Sequence, residues 1–361
     1  MPKLKNLQSV LTPGMKPIQR EITAGEKHSY LVTLKSHEYL NVVVEQKGID
    51  LVVRLVASDG KILSEVDSPN ENNGPEPVLF IPETSGKFHL EIEPGTKDAR
   101  PGQYEVSLNA LRPATQSDIA EVEITGLLLA AQKLRQANKM DQGTGLAQRA
   151  LDQSEHVFGP DHILAARSLQ MLACVFFSQK DAQKAELLLL RAIGVWERAK
   201  TADPLELASC YYDLAEVYRV GGDLAKAVSR YQQALNIWEA RHGLNSRIMG
   251  VNLAKLADVY RAQRDFSQAA VTYQRSLTIL EQIYGPDHLA VEGVVTGYAG
   301  CLSDKGDFAK SELLYLRALA IREKKFGPDH PQVATTLNNL AAVDYFQGHF
   351  TKAEPLYQRA L

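Results

Sequence analysis

The sequence predicts an all-β module followed by an all-α region, with a small β-sandwich or jelly roll preceding an α-solenoid of stacked helical hairpins. Three observations predict this class. Prolines are concentrated in the first 113 residues, short runs with period-two alternation fill the same region, and a 42-residue period runs through the remainder. Repeats of 20 to 50 residues are typical of stacked supersecondary units.

Composition excludes several classes of protein. The chain has 361 residues, 45% hydrophobic and 23% charged, which is typical of globular proteins rather than of disordered chains. The net charge of −3 lacks the basic excess of nucleic-acid binders, so we expect no nucleic-acid partner. The longest apolar runs, such as 187–190, are far shorter than the ~20 residues of a membrane span. No apolar segment follows Lys3 and Lys5, so a secretory signal is not expected and the predicted location is cytoplasmic.

Alternating runs before residue 113 predict about seven or eight short strands. Runs begin at Tyr30, Phe88 and Tyr104, each with apolar side chains at every second position. Asp59-Gly60 lies between two further runs and predicts a β-hairpin. Strands at this spacing are typical of a sandwich or jelly roll.

The predicted domain boundaries follow from these differences in sequence pattern. We expect a tail at 1–17, the β-sandwich at 18–112, a polar linker at 113–118 in which Ser117 or Asp118 caps the first helix, and the helical array at 119–361.

One loop sequence establishes the period of the array. Phe158-Gly-Pro-Asp-His162 returns at 284–288 and at 326–330, and the separations are 42 and three times 42. One column of the repeat reads Ala131, Ala173, Ala215, Ala257, Ala299 and Ala341. The six predicted units are 116–157, 158–199, 200–241, 242–283, 284–325 and an incomplete 326–361. Each is predicted to be a helical hairpin, with the loop glycine ending one helix and the loop Asp capping the next.

The array resembles tetratricopeptide repeats of the 42-residue kinesin-light-chain type. The resemblance rests on Leu340-Ala341, Gly348, Phe350, the run 353–357 and the run 359–361, together with the recurring loops. It implies a right-handed superhelix whose first helices line a concave groove for a peptide or protein segment.

The N-terminal region resembles a second family. The segments 28–30, 42–50, 59–61 and 65–70 are similar to the pre-peptidase β-module of bacterial proteins that end in a CHAT-type, caspase-like domain. No segment of the sequence matches that peptidase domain.

A search for catalytic, cofactor and metal motifs predicts none of these sites. Gly143-Thr144-Gly145 follows no strand, and His37-Glu38 lacks a second histidine four residues on. The cysteines are expected to be inert thiols in first helices, the loop histidines to start helices, and the acidic side chains of the β-module to lie in turns or on solvent faces. These residues are Cys174, Cys210, Cys301, His162, His288, His330, Asp50, Asp59, Glu65 and Asp67.

The register places mixed polar and aromatic side chains on the inward face of the first helices. Asn338 matches the asparagine with which family members hold a peptide backbone, and aromatics and arginines are common anchors. The predicted groove residues are Gln170, Phe177, Tyr212, Glu216, Arg219, Asp258, Arg261, Asn338, Tyr345 and Phe346.

The leading hypothesis is a non-enzymatic interaction scaffold that binds a peptide or protein segment in the groove, without cofactor. The alternative is the regulatory part of a larger bacterial protein with a C-terminal CHAT peptidase, which a reading frame continuing past Leu361 would support. A third hypothesis is a carbohydrate- or surface-binding role for the β-module. The apolar stripe at Ala360-Leu361 is unfinished, which would allow self-association through that end.

Overall fold

The computed structural model describes residues 3–4, 9–66, 73–96, 99, 101–199, 203–244 and 246–361. Strands precede helices throughout this part of the chain. The strands are β1 (Lys3–Leu4), β2 (Ser9–Val10), β3 (Ile18–Ile22), β4 (Glu26–Leu34), β5 (Glu38–Lys47), β6 (Leu51–Ala57), β7 (Ile62–Val66), β8 (Asn73–Phe80), β9 (Gly86–Pro94) and β10 (Gly102–Pro113). The helices are α1 (Gln116–Gln136), α2 (Met140–Phe158), α3 (Ile163–Ser178), α4 (Ala182–Arg198), α5 (Pro204–Gly221), α6 (Leu224–His242), α7 (Arg247–Ala262), α8 (Phe266–Tyr284), α9 (Leu289–Lys305), α10 (Phe308–Phe326), α11 (Pro331–Phe346) and α12 (Phe350–Ala360). The predicted class, a β-rich module followed by a solenoid of helical hairpins, is confirmed.

The strands form two sheets around one core. One sheet has the order β1-β4-β9-β6-β7 with β2 also on β4, and the other has the order β3-β10-β5-β8. Inward side chains of both sheets, such as Val42 and Val106 from one and Leu55 and Leu90 from the other, belong to a single buried cluster. This alternation of buried and exposed positions is what period two predicts for strands with one face on a core.

A polar contact crosses this core. The hydroxyl groups of Tyr30 in β4 and Tyr104 in β10 share a hydrogen bond of 2.7 Å, and Nδ1 of His28 lies 2.5 Å from the Tyr104 hydroxyl. Burial raises the pKa of both phenols, so they stay protonated and able to donate. The contact ties the two sheets together at one position along the strands.

The hairpin predicted at Asp59-Gly60 is confirmed. β6 and β7 pair antiparallel around it, Gly60 takes a φ of +86°, and the Lys61 N–H donates to the Asp59 carboxylate at 2.9 Å. Glu65, in β7, forms an ion pair with Arg54 of β6 rather than facing an open loop. Asp67 lies outside the described residues.

The passage from β10 to α1 is short and tightly bonded. Thr115 caps α1 and exchanges hydrogen bonds with Asp118, so the cap predicted at Ser117 or Asp118 is wrong. The reason is that β10 continues to Pro113, which leaves Thr115 as the last extended residue and puts Asp118 at the third helical position.

Arg112 donates to both oxygens of Asp118, at 2.6 and 3.0 Å, and holds the pKa of that carboxyl near 2. The Arg112 guanidinium also lies 5.3 Å from the Tyr39 ring centre.

Contacts divide the chain into two compact units. The first comprises Met1–Asp181 and Gly194–Lys200, and the second comprises Ala182–Ile193 and Thr201–Leu361. Within the second unit α6 packs on α7, α8 on α9 and α10 on α11. Among the described residues, no helix combines the length and apolar character needed to cross a membrane.

Small residues face each other where the two helices of a hairpin cross. A Cβ on Gly143 of α2 would lie 3.5 Å from the Ala131 carbonyl oxygen of α1, and the Ser311 hydroxyl of α10 donates to the Ala299 carbonyl of α9 at 2.8 Å. These are equivalent positions of two repeats. The all-alanine column therefore exists because the opposite helix approaches its backbone directly.

The recurring Gly-Pro-Asp-His loops start helices, as predicted for their histidines. His162, His288 and His330 are the N-caps, and the Nδ1 of each accepts a backbone N–H two residues on, at 3.1 to 3.3 Å. The prediction that the loop aspartate is the cap is wrong. The loop folds each histidine ring onto the aromatic residue that ends the preceding helix, with ring centres 4.6 to 4.7 Å apart, and this stacking carries the histidine to the helix start.

One hairpin contact uses an ion pair where its neighbour uses apolar atoms. Arg322 of α10 and Glu292 of α9 lie 2.8 Å apart, with side chains only 12% and 8% exposed. One repeat earlier the equivalent positions are Leu280 and Gly250, and the Leu280 side chain occupies the space that a Cβ on Gly250 would need. The two residue pairs are alternative solutions to one packing problem.

Replacing Glu292 with Ala is expected to destabilise the chain by about 3–5 kcal/mol, because it leaves the Arg322 guanidinium buried without its carboxylate. The matched control is Glu292→Gly/Arg322→Leu, which reproduces the Gly250–Leu280 pair of the preceding repeat and should recover at least half of the loss. Urea unfolding followed by circular dichroism measures both. A double variant less stable than the single one would contradict this account.

Candidate functional site

The predicted groove residues all lie on first helices of hairpins. Gln170 and Phe177 are half-buried on α3, in the first compact unit. The other eight belong to the second unit, on α5, α7 and α11. All the charged residues of the predicted groove lie in the second unit.

Two of these residues accept hydrogen bonds from tyrosines of the same hairpin. The Tyr231 hydroxyl of α6 donates to Glu216 of α5, and the Tyr273 hydroxyl of α8 donates to Asp258 of α7. The pairs are equivalent, since each acid precedes its tyrosine by 15 residues and the pairs lie one repeat apart. Sequence reasoning missed Tyr231 and Tyr273 as partners of the site. The signal was present, as an acidic column and a tyrosine column at the same period.

The next hairpin lacks the acid and fills its place differently. Gly300 stands where Glu216 and Asp258 stand in the two repeats before it, and a Cβ there would lie 2.6 Å from the guanidinium of Arg261. The Arg261 Nε donates to Asp304 of α9 at 2.6 Å. Gly300 is thus the residue that allows an arginine of one hairpin to lie against the first helix of the next.

Both predicted arginines already have carboxylate partners. Arg219 donates to Glu216 from Nε at 3.1 Å and from Nη2 at 2.7 Å, and these bonds, with Asp258 of the next first helix, raise the pKa of its guanidinium. Arg261 pairs with Asp304. We call Glu216, Arg219, Asp258, Arg261 and Asp304 the ion-pair ladder. It carries alternating charge along α5, α7 and α9, so a charged ligand there must compete with a partner in place.

Tyr212 is held against the second helix of its own hairpin. Its ring meets Tyr231 edge-on at 5.7 Å and Trp238 at 6.0 Å between ring centres. Burial, followed by the nearby charge of Glu216, raises the pKa of the Tyr212 phenol to about 12. The side chain is half-buried and packed beside the ladder.

The last first helix, α11, has a different character. Asn338 is exposed, and Tyr345 and Phe346 are 54% and 66% exposed. The Tyr345 ring meets Phe346 at 5.9 Å and Phe350 at 5.3 Å, and Phe346 stacks at 6.1 Å on Phe308. The structure therefore brings Tyr345 and Phe346 together, into a larger aromatic group that sequence reasoning recognised only in part.

The cysteines lie in packed surroundings. Cys210 and Cys301 are buried and Cys174 is half-buried. Burial raises the pKa of the Cys301 thiol, whose sulfur lies 3.7 Å from the Phe266 carbonyl oxygen. A protonated, packed thiol is a poor nucleophile. In the part of the chain that the structure describes, no three His, Cys, Asp or Glu side chains are grouped to hold a metal ion.

Comparison with known proteins identifies the helical region. A family model described as tetratricopeptide repeat matches residues 123–198, 206–282 and 293–361, which is more than half of the chain. A search of curated proteins found no significant match.

Solved structures show the same fold at low identity. BtubC (BKLC) from P. vanneervenii is 23% identical over 68% of this chain and 90% of its own, with a TM-score of 0.51. The nearly identical repeats of a putative kinesin light chain from Podosopora anserina are 17% identical over 56% and 96%, with a TM-score of 0.51. A signal-transduction ATPase with a tetratricopeptide repeat sensor from Pyrococcus horikoshii is 14% identical over 67% and 36%, with a TM-score of 0.57. The kinesin-light-chain likeness expected from the sequence is confirmed at the level of fold.

Replacing Asp258 with Ala is expected to destabilise the chain by about 1–3 kcal/mol, because the buried Tyr273 hydroxyl loses its acceptor. The control is Asp258→Ala/Tyr273→Phe, which removes both partners and should be more stable than the single variant. Thermal unfolding of wild type, both single variants and the double variant gives the coupling between the two residues. Strict additivity of the two single changes would show that this hydrogen bond contributes nothing.

Proposed function

Because the chain belongs to the tetratricopeptide repeat family, we propose that it is a non-enzymatic scaffold that binds a peptide or protein segment along the first helices of its repeats. Proteins built from these repeats generally mediate protein–protein interactions. The observation that carries the proposal is the recurrence of solvent-reaching polar and aromatic side chains in equivalent positions of α5, α7 and α11. We retain the division into a β-module at 18–112 and an array at 119–361 as part of this proposal.

The chemistry of these positions favours a protein ligand. Arginines can pair with carboxylates, the Asn338 amide can both donate to and accept from a peptide backbone, and tyrosines can pack on apolar side chains. The charges of the ladder alternate and largely cancel, so binding is expected to weaken only modestly with salt.

The test is the variant Tyr212→Ala/Arg219→Ala/Arg261→Ala. Partners recovered with the wild-type chain and identified by mass spectrometry are purified and titrated against both proteins. We expect the variant to bind at least about tenfold more weakly, as loss of central anchors does at protein interfaces.

A control for that experiment is Leu187→Ala/Val271→Ala/Leu313→Ala, which removes exposed apolar side chains from second helices and should bind normally. Circular dichroism establishes that both variants are folded. Full affinity of the first variant for every partner would place binding elsewhere.

The alternative, a recognition part of a larger bacterial protein with a CHAT-type peptidase, assigns the same role to the groove and differs only in where catalysis resides. The scaffold proposal predicts that the purified 361-residue chain cleaves neither casein nor peptide libraries. Cleavage that disappears in Cys174→Ala, Cys210→Ala or Cys301→Ala would instead make this chain a peptidase.

A further inference from the structure

The solvent-facing side of α11 carries no charge. The structure describes every residue of this helix, and its only charged side chain, Asp344, is buried with an oxygen 3.5 Å from Nδ1 of His349. The exposed residues are Pro331, Gln332, Thr335, Asn338, Tyr345 and Phe346. Since soluble proteins usually carry charged side chains over about a quarter of their surface, an uncharged helix face about four turns long is unusual.

These side chains form one continuous stripe. Thr335, Asn338, the half-buried Ala342 and Tyr345 follow each other at intervals of three or four residues, and Phe346 adjoins the end. Residues at that spacing share one face of a helix. The composition is that of a binding surface, because amides and hydroxyls provide adaptable hydrogen bonds and aromatics provide contact area at low entropic cost.

The aromatic side chains at the end of the stripe are positioned by contacts within the chain. Phe346 stacks on Phe308 of the preceding hairpin, and Tyr345 meets both Phe346 and Phe350 edge-on. Phe308 itself is half-buried and packs against the buried cluster beneath. We call Tyr345 and Phe346 the aromatic platform, since its rings rest on neighbours from two hairpins and yet remain more than half exposed.

Equivalent positions in the other first helices of the same unit differ in charge. Tyr345 corresponds to Arg219, Arg261 and Ser303, and Phe346 corresponds to Val220, Ala262 and Asp304. The three charged residues among these belong to the ion-pair ladder and already have partners. Exposure at the position of Phe346 is shared by other repeats, because Val220, its counterpart on α5, is likewise exposed.

Resting on the proposed scaffold function, we infer that the stripe on α11 binds an uncharged segment of a protein partner that places an aromatic or large aliphatic side chain on the aromatic platform. Charge complementarity selects this class, because α11 itself offers no exposed charged group to pair with an acidic or basic anchor. Asn338 lies two helical turns from Tyr345, about 10 Å along the axis, which matches about three residues of extended chain. A segment that bonds to the Asn338 amide would therefore place its anchor about three residues away.

The test uses short random peptides displayed on phage and selected against the full chain. We expect the selected peptides to share a bulky apolar anchor without adjacent charge. Synthetic copies should bind Tyr345→Ala/Phe346→Ala at least about tenfold more weakly than wild type, and Tyr345→Phe nearly as well as wild type. Their affinity should change by less than about threefold between about 50 and 500 mM NaCl.

The matched control is Val271→Ala/Leu313→Ala, which removes two side chains as exposed as Phe346 from second helices and should leave peptide affinity unchanged. Charged anchors, or full affinity for the platform variant, would overturn the inference. So would a wild-type dimer that the platform variant loses in sedimentation, since a second copy would then cover the stripe.

Failure of the inference and failure of the scaffold proposal give different results. Peptides that bind wild type but depend on Arg219 and Arg261 rather than on the platform would overturn the inference and leave the scaffold proposal standing. A library that yields no binder to the wild-type chain would contradict both.

Discussion

The close crossing of two helices within each hairpin is the constraint on which the helical region depends. A backbone carbonyl at the alanine column lies within contact distance of the opposite helix, as at Ala131 and Ala299, so neither column can carry a large side chain. Bulk is displaced to neighbouring positions, where Tyr231 and Tyr273 lie across the hairpin with their hydroxyls on Glu216 and Asp258. The acidic side chains of the candidate site therefore serve the packing of the hairpins, because they accept these hydrogen bonds.

Because these groups serve the packing, the members of the ion-pair ladder bond to one another and to the tyrosines of their hairpins. Each acid is partly satisfied by a tyrosine or an arginine, and Arg261 reaches the next first helix only because Gly300 leaves room for it. The ladder links α5, α7 and α9 through defined side-chain pairs. Each pair adds little to the free energy of unfolding, since its side chains are half-exposed. On α11 the same positions carry neutral and aromatic residues, namely Ala342, Tyr345 and Phe346.

The β-module is joined to the first repeat by bonds rather than by a loose connection. Arg112 at the end of β10 clamps the Asp118 carboxylate of α1, and Tyr39 of β5 donates to Glu121 at 2.8 Å one turn further on. Inside the module, the Tyr30–Tyr104 hydrogen bond fixes one sheet against the other. The residues of both clusters all belong to the first compact unit.

The sequence by itself determined the fold class, the period and the composition of the groove columns, because helix and strand periodicity and a 42-residue repeat are read directly from residue order. The positions of Tyr212, Arg219 and Tyr345 on first helices followed from that register. Only the tertiary structure decided that His330 rather than Asp329 caps its helix. It also decided that Arg219 and Arg261 form ion pairs with neighbouring carboxylates, and that Phe308 and Phe350 complete the aromatic group. These outcomes depend on ring stacking and ion pairing between side chains of different helices, and such distances are set by packing rather than by spacing along the chain.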